Sequence, residues 1–404
     1  MQNSRTPALG FILTTLTLDI VGIGLIVPIL PELVKQFSGG DTAAAASAAG
    51  WLGAVYALMQ FCFAPFFGCL SDKIGRRPVI LISQFGLGLD YFLLAYAPSM
   101  TWFFAGRVLA GITGANFGAA TAYIADISPP DKRSANFGLV GAAFGVGFII
   151  GPLLGGLLGQ WGVRVPFLAA GFLTLINSAY GYFVLPESLA PDNRRAMDWA
   201  RANPVGGLLA LARKPRVFGL ATCTFLTFVG HQVYPSIWVL YTGYRYGWDA
   251  VWNSVSLAVV GACAAIVQGW LTPRVVSALG EWRTALLGLA IAALSYIAYG
   301  LAAHGWMMFI CIAFGSLGGL AEPTIQGLIS NAVSDDEQGA VQGAVTSLES
   351  VSGVVGPLLI TSLFSYFIRP EAPVSLPGAP FFACALIALA ALGVAWRSRR
   401  LAAG

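Results

Sequence analysis

Acidic side chains interrupt stretches of this chain that are otherwise apolar, at Asp19, Asp90, Glu322 and Glu349. A charged side chain at the centre of a bilayer costs roughly 3 kcal/mol on insertion scales, so acids kept at such positions indicate a function. A carboxyl group removed from water favours its neutral form and can therefore accept and release a proton. We predict that these residues carry protons, with Asp19 as the leading candidate; interhelical hydrogen bonding is the alternative for each.

A basic side chain, Arg107, lies in another apolar stretch. Its guanidinium group is always charged, so it requires a carboxylate or carbonyl partner inside the protein. Asp19 and Asp90 both qualify, and the sequence does not choose between them.

Other polar and aromatic side chains suit a flat amphipathic ligand. We predict that these side chains line a substrate cavity together with Arg107. They are Tyr56, Gln60, His231, Gln232, Tyr234, Trp238 and Gln326. Aromatic rings with a polar tip can serve such a cavity, and plain packing or anchoring at the membrane interface is the alternative.

A charged motif, GCLSDKIGRRP at residues 68–78, separates two long apolar runs. Such a concentration of charge cannot lie in hydrocarbon, so we predict a tight turn at a membrane face with glycine at each hinge. Its acid can pair with a neighbouring base or cap a helix, and that contact can break when the helices move. An ordinary basic loop would explain the arginines but not the ordered pattern. The predicted gating residues are Gly68, Asp72, Gly75, Arg76 and Arg77.

Another motif repeats glycine at every fourth position of one predicted helix, at Gly147, Gly151, Gly155 and Gly159. Such a row lets the backbone of a second helix approach closely. Pro152 removes a backbone hydrogen bond within the row and favours a bend. The pattern GxxxGPLLGG is formed by Gly147, Gly151, Pro152, Gly155 and Gly156. Plain packing of small residues is its less specific interpretation.

The elements that position these residues are predicted to be membrane-spanning helices. Of 404 residues, 57% are hydrophobic and only 10% are charged, against about 25% charged in soluble globular chains. Apolar runs of roughly 18–25 residues are long enough to cross a bilayer. We predict twelve spans, near residues 8–31, 45–70, 79–97, 101–126, 134–159, 165–185, 216–242, 250–272, 283–301, 305–329, 339–367 and 378–396.

Charge placement predicts the orientation of these spans. Most lysines and arginines fall in one set of alternate loops, which the positive-inside rule assigns to the cytoplasm together with both termini. The first apolar run contains Asp19 and lacks a small-residue cleavage site, so we expect it to be retained as a span.

The sequence carries no sign of an enzyme site or of a metal site. The 6 cysteines lie in or beside apolar runs without the spacing of metal ligands, so we expect neither disulfides nor a bound metal. Motifs for nucleotide hydrolysis, zinc peptidases and nucleophile elbows do not occur. Uphill work would therefore draw on an ion gradient.

A polar stretch at residues 186–215 divides the chain almost in half. We predict a six-helix bundle over 1–185, a cytoplasmic interdomain linker over 186–215 with a short surface helix near 198–211, and a second six-helix bundle over 216–404. The two halves echo each other, because the surroundings of Gly151 and Pro152 recur around Gly356 and Pro357.

These motifs carry a family resemblance. The charged motif resembles the loop between helices 2 and 3 of the major facilitator superfamily, and GxxxGPLLGG resembles the helix 5 motif of its antiporters. The stretches LDIVGIGLIVPILPEL, GRVLAGITGA and WVLYTGYRYGW are similar to the tetracycline/proton antiporters of its drug-efflux branch. The resemblance covers nearly the whole chain. It implies an all-α membrane protein whose two pseudo-symmetric six-helix bundles enclose a substrate site.

The resemblance also implies roles for particular residues. Positions that the family uses for coupling, drug contact or gating are occupied here by Asp19, Asp90, Gln60, Arg107, Asp72, Arg76 and Arg77. The second half departs from the family, whose efflux pumps have an acid in helix 9 and often a histidine in helix 8. This chain has LLGLAIAALS and GACAAIVQG there. Glu322 and Glu349 occupy positions where the family tends to have neutral residues, so we predict that the second-half acid has moved to another helix.

The resulting prediction is proton-coupled efflux of an amphipathic organic compound, tetracycline-like or another drug, by alternating access in a bacterial inner membrane. Protons are the coupling ion, no cofactor is bound, and a divalent metal enters only as a complex with the substrate. The partners are a small-molecule substrate and the lipid bilayer, without nucleic acid, and the protein acts as a monomer. Two alternatives stay open: a proton-coupled importer or uniporter of a small metabolite, and a non-transporting membrane receptor.

Overall fold

The computed structural model describes residues 5–114, 117–129, 133–197, 215–332 and 338–403. These residues contain helices and no strand. Twelve helical stretches among them are long and apolar enough to cross a membrane, which confirms the predicted all-α membrane fold. We number them spans 1–12 in chain order: Leu9–Phe37, Thr42–Ile74, Arg76–Tyr96, Met100–Ile127, Leu139–Gly159, Val165–Val184, Val217–Tyr246, Ala250–Leu279, Glu281–Leu301, Gly305–Asn331, Val345–Phe367 and Ala379–Leu401.

Seven spans belong to single helices, whereas the others combine two or three helical segments. Spans 2, 3, 5, 6, 9, 11 and 12 lie in Thr42–Ile74, Arg76–Tyr96, Arg133–Gly159, Val165–Val184, Glu281–Leu301, Gln338–Phe367 and Ala379–Ala403. Span 1 is formed by the helices Arg5–Ile26 and Leu30–Phe37, and span 4 by Met100–Thr113 and Phe117–Ile127. Span 7 is formed by Pro215–His231 and Val233–Tyr246. Spans 8 and 10 contain Ala250–Ile266 with Thr272–Leu279, and Gly305–Ser316 with Ala321–Asn331.

Proline explains the interruptions of spans 1 and 7. A proline has no N–H to donate, and its ring crowds the carbonyl group four residues earlier. In span 1, Pro28 and Pro31 coincide with the break after Ile26, and the chain then continues as helix to Phe37, beyond the predicted end at residue 31. In span 7, Pro235 lies four residues after His231, where the first segment ends.

Spans 8 and 10 contain irregular turns at the corresponding place before a proline. Val267–Leu271 is a π-helical turn ahead of Pro273, and Leu317–Leu320 is a 3₁₀ turn ahead of Pro323. The carbonyl group that each proline leaves without a helical donor belongs to the irregular turn. Local π and 3₁₀ adjustments are how spanning helices accommodate such groups. The π-helical turn was not predicted from the sequence.

The chain divides into two compact units that exchange segments. The first comprises Met1–Leu33, Leu58–Asn203 and Ala250–Ala258, and the second comprises Val34–Ala57, Pro204–Asp249 and Val259–Gly404. Spans 2 and 8 are therefore each shared between the units. The boundary at residues 186–215 stays a prediction, and the surface helix predicted near 198–211 lies outside the described residues.

Small residues dock the exchanged segments within each unit. In the second unit, Ser47 of span 2 donates to the hydroxyl of Ser365 in span 11 at 3.0 Å. In the first unit, Gly156 of span 5 faces Ser254 of span 8, where a Cβ atom would lie 2.9 Å from the serine Cβ.

The glycine row of span 5 packs against span 1 in the first unit. A Cβ atom at Gly151 would lie 2.7 Å from the Cα atom of Gly24, and one at Gly147 would lie 2.5 Å from the Ile20 side chain. Gly155 faces the backbone of Leu25 in the same way. Absent side chains therefore allow spans 1 and 5 to touch backbone to backbone, and this contact fixes span 1, which carries Asp19.

We expect Gly151→Ala to destabilise the protein by about 1–3 kcal/mol, because its methyl group meets backbone atoms that cannot turn aside. The matched control is Gly145→Ala in the same helix, where no atom lies within 4 Å of the new Cβ. The measurement is the midpoint of thermal unfolding of the purified protein in detergent. Equal midpoints for the two variants would contradict the proposed packing.

Candidate functional site

Asp19 lies in span 1 with both carboxylate oxygens paired to side-chain amides. Gln84 of span 3 donates to Oδ2 at 3.0 Å, and Asn177 of span 6 donates to Oδ1 at 2.8 Å. Both amides are completely buried. Asn177 also donates to the backbone oxygen of Thr15 at 2.9 Å, one turn earlier in span 1. Three helices thus supply neutral donors to one carboxylate, and no cation forms an ion pair with it among the described residues.

Polar atoms around Asp19 exceed the hydrogen bonds that the described residues provide. The atoms that are buried without a partner are Thr15 Oγ1, Ser83 Oγ, Gln84 Oε1, Thr174 Oγ1 and Asn177 Oδ1. Burying a polar group without a partner costs roughly 1–3 kcal/mol. Spans 1, 3 and 6, which hold the Asp19 carboxylate, all carry such atoms.

Asp90 and Arg107 form the second buried charge site of the first unit. The Arg107 guanidinium donates to Asp90 Oδ2 at 3.1 Å, which settles the choice of partner that the sequence left open. Asp90 is completely buried and the arginine side chain is 14% exposed. The ionised Asp90 carboxylate and the Arg107 guanidinium have no net charge as a pair. The Asp19 carboxylate has no such partner, so it loses its charge only when it binds a proton.

Gln60 and Tyr56 lie on the same helix, in span 2. Gln60 is half-buried, and its amide donates to the backbone oxygen of Gly114 in span 4 at 3.5 Å. Tyr56 is half-buried in the part of span 2 that belongs to the second unit. Their role in substrate binding stays a prediction.

The charged motif is a helix junction rather than an eleven-residue turn. Span 2 continues to Ile74, so Gly68 lies inside a helix and is not a hinge, because the apolar helix extends further than its charges suggest. Only Gly75 leaves the helical conformation, with φ of 109°, and span 3 begins at the next residue. A positive φ of this kind is open to glycine but strained for other residues.

The bases of the motif have separate partners. Arg76 pairs with Asp72 at 2.5 Å and with Asp126 of span 4 at 3.3 Å. Arg77 donates to the backbone oxygen of Tyr182, and its guanidinium lies 5.5 Å from the centre of that ring. The motif therefore joins spans 2, 3, 4 and 6 of the first unit at one end.

Glu187, which the sequence analysis missed, completes this junction. Its Oε1 atom accepts hydrogen bonds from the backbone N–H groups of Arg76, Ser188 and Leu189 at 2.9, 3.0 and 3.1 Å. A Cβ atom at Gly75 would lie 2.8 Å from the Glu187 carboxyl carbon. Glycine is thus required at the junction both for its backbone angle and for space. An acid at the end of a span, directly before the polar stretch, was the available signal.

The predicted acids of the second unit lie on spans 10 and 11. Glu322 is half-buried in the first turn of Ala321–Asn331, and Glu349 of span 11 is exposed. No hydrogen bond or ion pair joins either carboxylate to the described residues. Negative charge at a helix start is favourable, which supports Glu322 at its position.

The aromatic residues predicted for the cavity form a cluster in the second unit. The ring of Tyr234 lies 5.1 Å from that of His231, 5.9 Å from that of Trp238 and 5.9 Å from that of Tyr299. Trp238 is buried, so it packs in the core of the cluster, while His231 is exposed.

The remaining predicted cavity residues lie near the acids. Gln232 is half-buried, and its side chain packs on span 11, where a Cβ atom at Gly356 would lie 2.6 Å from its Cβ. Gln326 is half-buried one turn after Glu322. Among the described residues, no group of three or more histidine, cysteine, aspartate or glutamate side chains could hold a metal ion.

Gln84 and Asn177 are the main residues that sequence reasoning overlooked at this site. Both are amides inside apolar stretches. The acids were found because they are charged residues in such stretches, and the same search extended to neutral polar residues would have found these amides. The arrangement as a whole can bind and release a proton at Asp19 and can transmit helix movement through the charged junction.

Removing Arg107 tests the buried ion pair. We expect Arg107→Met to destabilise the protein by roughly 3–5 kcal/mol, because it leaves a completely buried carboxylate without its counter-charge. The double variant Asp90→Leu/Arg107→Met removes both charges and should recover most of the loss. Thermal midpoints in detergent measure both changes. A double variant as unstable as the single one would show that the pair is not what holds these helices.

Removing Glu187 tests the charged junction. We expect Glu187→Ala to cost about 1.5–3 kcal/mol, the range for a hydrogen-bonded charged group, because three backbone donors lose their acceptor. Asp192→Ala, an exposed acid five residues later, is the control. Proteolysis of the purified protein near residues 186–197 should accelerate in the first variant only. Similar cleavage rates for both variants would refute the role of Glu187.

Comparison with known proteins gives the family. The sequence profile of the Major Facilitator Superfamily matches residues 12–357. The class C tetracycline resistance protein of Escherichia coli is 40% identical over 358 residues, which cover 89% of this chain and 90% of that protein. The class B protein of Escherichia coli is 34% identical over 365 residues, with 90% of each chain covered.

Solved structures agree on the fold. The human organic anion transporter MFSD10 (TETRAN) superimposes with a TM-score of 0.73 at 22% identity, covering 98% of this chain and 100% of that one. A bacterial homologue of the human lysosomal transporter Spinster gives a TM-score of 0.77 at 17% identity, covering 99% and 98%. The chain is a multi-pass membrane transporter and not an enzyme, and it belongs to the Major Facilitator Superfamily.

Proposed function

We propose that this transporter exports an amphipathic drug of the tetracycline class in exchange for protons, by alternating access. The observation that carries the proposal is Asp19, a carboxylate inside span 1 that is paired only with neutral amides. Proton uptake changes the charge of such a site completely, so it can couple one transport event to one proton. The similarity to tetracycline resistance proteins over about nine-tenths of the chain supports drug efflux.

We propose that the proton gradient across the membrane supplies the energy for transport. A proton moved through 100 mV supplies about 2.3 kcal/mol. We assign the proton-carrying role to Asp19 first, with Asp90 beside Arg107 as its neighbour in the same unit. Glu322 and Glu349 act as the second-half acids in place of the helix 9 acid that the chain lacks.

Substrate contact is assigned to residues of both halves. The aromatic cluster around Tyr234 offers flat surfaces, and His231, Gln232 and Gln326 offer hydrogen bonds near the acids. With Tyr56, Gln60 and Arg107 they provide the mixture of aromatic, amide and charged groups that binds amphipathic ligands. A divalent metal enters only as a complex with the drug.

The transporter is placed in a bacterial inner membrane with both termini in the cytoplasm. The excess of lysine and arginine in alternate loops supports that orientation. We further propose that it works as a monomer, with a small-molecule substrate and the bilayer as its partners. The charged junction at Gly75 then lies on the cytoplasmic side and opens or closes with each cycle.

Drug-driven proton movement in everted membrane vesicles tests the function. Adding tetracycline, and then other amphipathic drugs, to energised vesicles should release protons from the lumen. Asp19→Asn should abolish that release, because its side chain has nearly the same shape but cannot titrate. Asp192→Asn, which changes an exposed acid, should behave as the wild type.

Other outcomes would redirect the proposal. Proton movement that persists in Asp19→Asn would remove this residue from coupling. Proton movement of the opposite sign would indicate an importer. Silence across the drug panel would exclude drug efflux and favour a narrow metabolite transporter.

A further inference from the structure

The two amides that bind Asp19 are not equivalent. Asn177 uses its amide nitrogen twice, donating to Asp19 at 2.8 Å and to the Thr15 backbone oxygen at 2.9 Å. The Gln84 nitrogen has a single partner in the described structure, Asp19 at 3.0 Å. The Asn177 amide is therefore fixed from two sides, whereas the Gln84 amide is held at one point only.

The present arrangement suits only the ionised carboxylate. An ionised carboxylate accepts hydrogen bonds with both oxygens, while a protonated one has an O–H group that must donate to an acceptor. Both groups facing Asp19 are donors, so a proton arriving on Oδ2 would point at the Gln84 N–H. Protonation thus requires one amide to present its oxygen instead.

Gln84 already has an unused oxygen. Its Oε1 atom is buried without a partner in the described structure and faces span 6, where a Cβ atom at Gly181 would lie 3.8 Å away. Rotation about the terminal side-chain torsion exchanges the oxygen and nitrogen positions, and that torsion is broad and roughly two-fold in glutamine. The same rotation at Asn177 would break its bond to the Thr15 backbone.

Hydroxyl groups without partners also lie on the helices that surround Asp19. The hydroxyl groups of Thr15, Ser83 and Thr174 are buried without partners. Ser83 precedes Gln84 in the chain, Thr15 lies one turn before Asp19, and Thr174 lies one turn before Asn177. A hydroxyl can donate or accept, so it can serve either orientation of the amide.

We infer that Gln84 is a positioning residue for the proton on Asp19: its amide rotates when Asp19 is protonated, donating to the carboxylate and accepting from the acid. Asn177 is the fixed donor to Oδ1 in both forms, and its hydrogen bond is stronger when the carboxylate is ionised. A proton can then enter the site without leaving Asp19 unpaired in either state. This inference rests on the proposed function for its biological meaning but not for its spectroscopic test.

Few other titratable groups lie on the helices packed around Asp19. Span 3 carries Asp90, which is paired with Arg107 of span 4, and Tyr91. Span 4 also carries Tyr123, which donates to the Pro186 backbone oxygen, and Asp126, which pairs with Arg76. Span 6 carries Tyr180, which packs against Phe11, and Tyr182, whose ring faces Arg77. The described part of span 5 adds no acid or histidine within the membrane. Arg76 and Arg77 begin span 3 roughly 12 Å before Gln84, at 1.5 Å per residue.

Infrared difference spectroscopy on the purified protein tests the rotation directly. Protein with glutamine labelled by ¹³C at the side-chain carbonyl is titrated with acid, without drug or membrane. We expect one labelled amide band to shift with the same midpoint as the appearance of a carboxylic acid band. The acid band of Asp19 is the one that vanishes in Asp19→Asn together with the amide change, and the amide change should also vanish in Gln84→Met. The Asp19 acid band in the wild type without any amide shift would overturn the inference.

The pH profile of drug-proton exchange supplies the second test. Asn177→Leu removes a donor whose hydrogen bond is stronger to the ionised form, so the protonated form persists to higher pH. We expect the midpoint to rise by about one pH unit, the effect of one charge-assisted hydrogen bond. Gln84→Met removes a partner from both forms, so its midpoint should move less while its maximal rate falls. Equal shifts of the pH midpoint in the two variants would show that Gln84 is a fixed donor, like Asn177.

The two tests separate this inference from the proposed function. An amide rotation seen by infrared in a protein that moves no protons with drug would keep the inference and remove the function. Drug-proton exchange with a stationary Gln84 amide would do the reverse. If Asn177→Leu does not fold, the labelled wild type and Gln84→Met still decide the result.

Discussion

A carboxylate among membrane-spanning helices must find hydrogen-bond donors inside the protein, and this requirement organises the first unit. Asp19 draws Gln84 from span 3 and Asn177 from span 6 onto span 1. The glycine row of span 5 fixes span 1 from another side by backbone contact. The packing of four helices therefore serves the solvation of one side chain.

The two acids of this unit inside membrane spans are solvated by different means. Asp90 faces a permanent positive charge at 3.1 Å, so their pair is electrically balanced and ties span 3 to span 4. Asp19 faces neutral amides and has surplus polar atoms nearby. The first arrangement favours a stable joint, and the second favours exchange of a proton. The distinction is one of partner chemistry, because both acids lie in apolar stretches of similar composition.

The sequence predicted the features that depend on local composition. Span positions follow from apolar length. The sequence did not predict that span 2 continues to Ile74. The charged residues at the end of this span suggested a turn, but the helix tolerates these charges at a membrane face. Nor did the sequence predict the π-helical turn of span 8.

The details of the site were predictable only in part. Asp19, Asp90 and Arg107 stand out because a charge in an apolar run is costly, but their pairing depends on which helices meet. Gln84, Asn177 and Glu187 were missed because amides are less conspicuous than acids within a span, and because Glu187 acts through backbone groups distant in the chain. Long-range packing decides these contacts, and no local pattern reports it.

The central claim is that Asp19 exchanges its proton for drug, and the most direct measurement is proton release on drug binding to the purified transporter. Calorimetry in buffers of different ionisation enthalpy gives the number of protons released per bound drug. The account predicts release of about one proton by the wild type and none by Asp19→Asn. Equal proton release in both proteins, or drug binding by the wild type without any release, would contradict it.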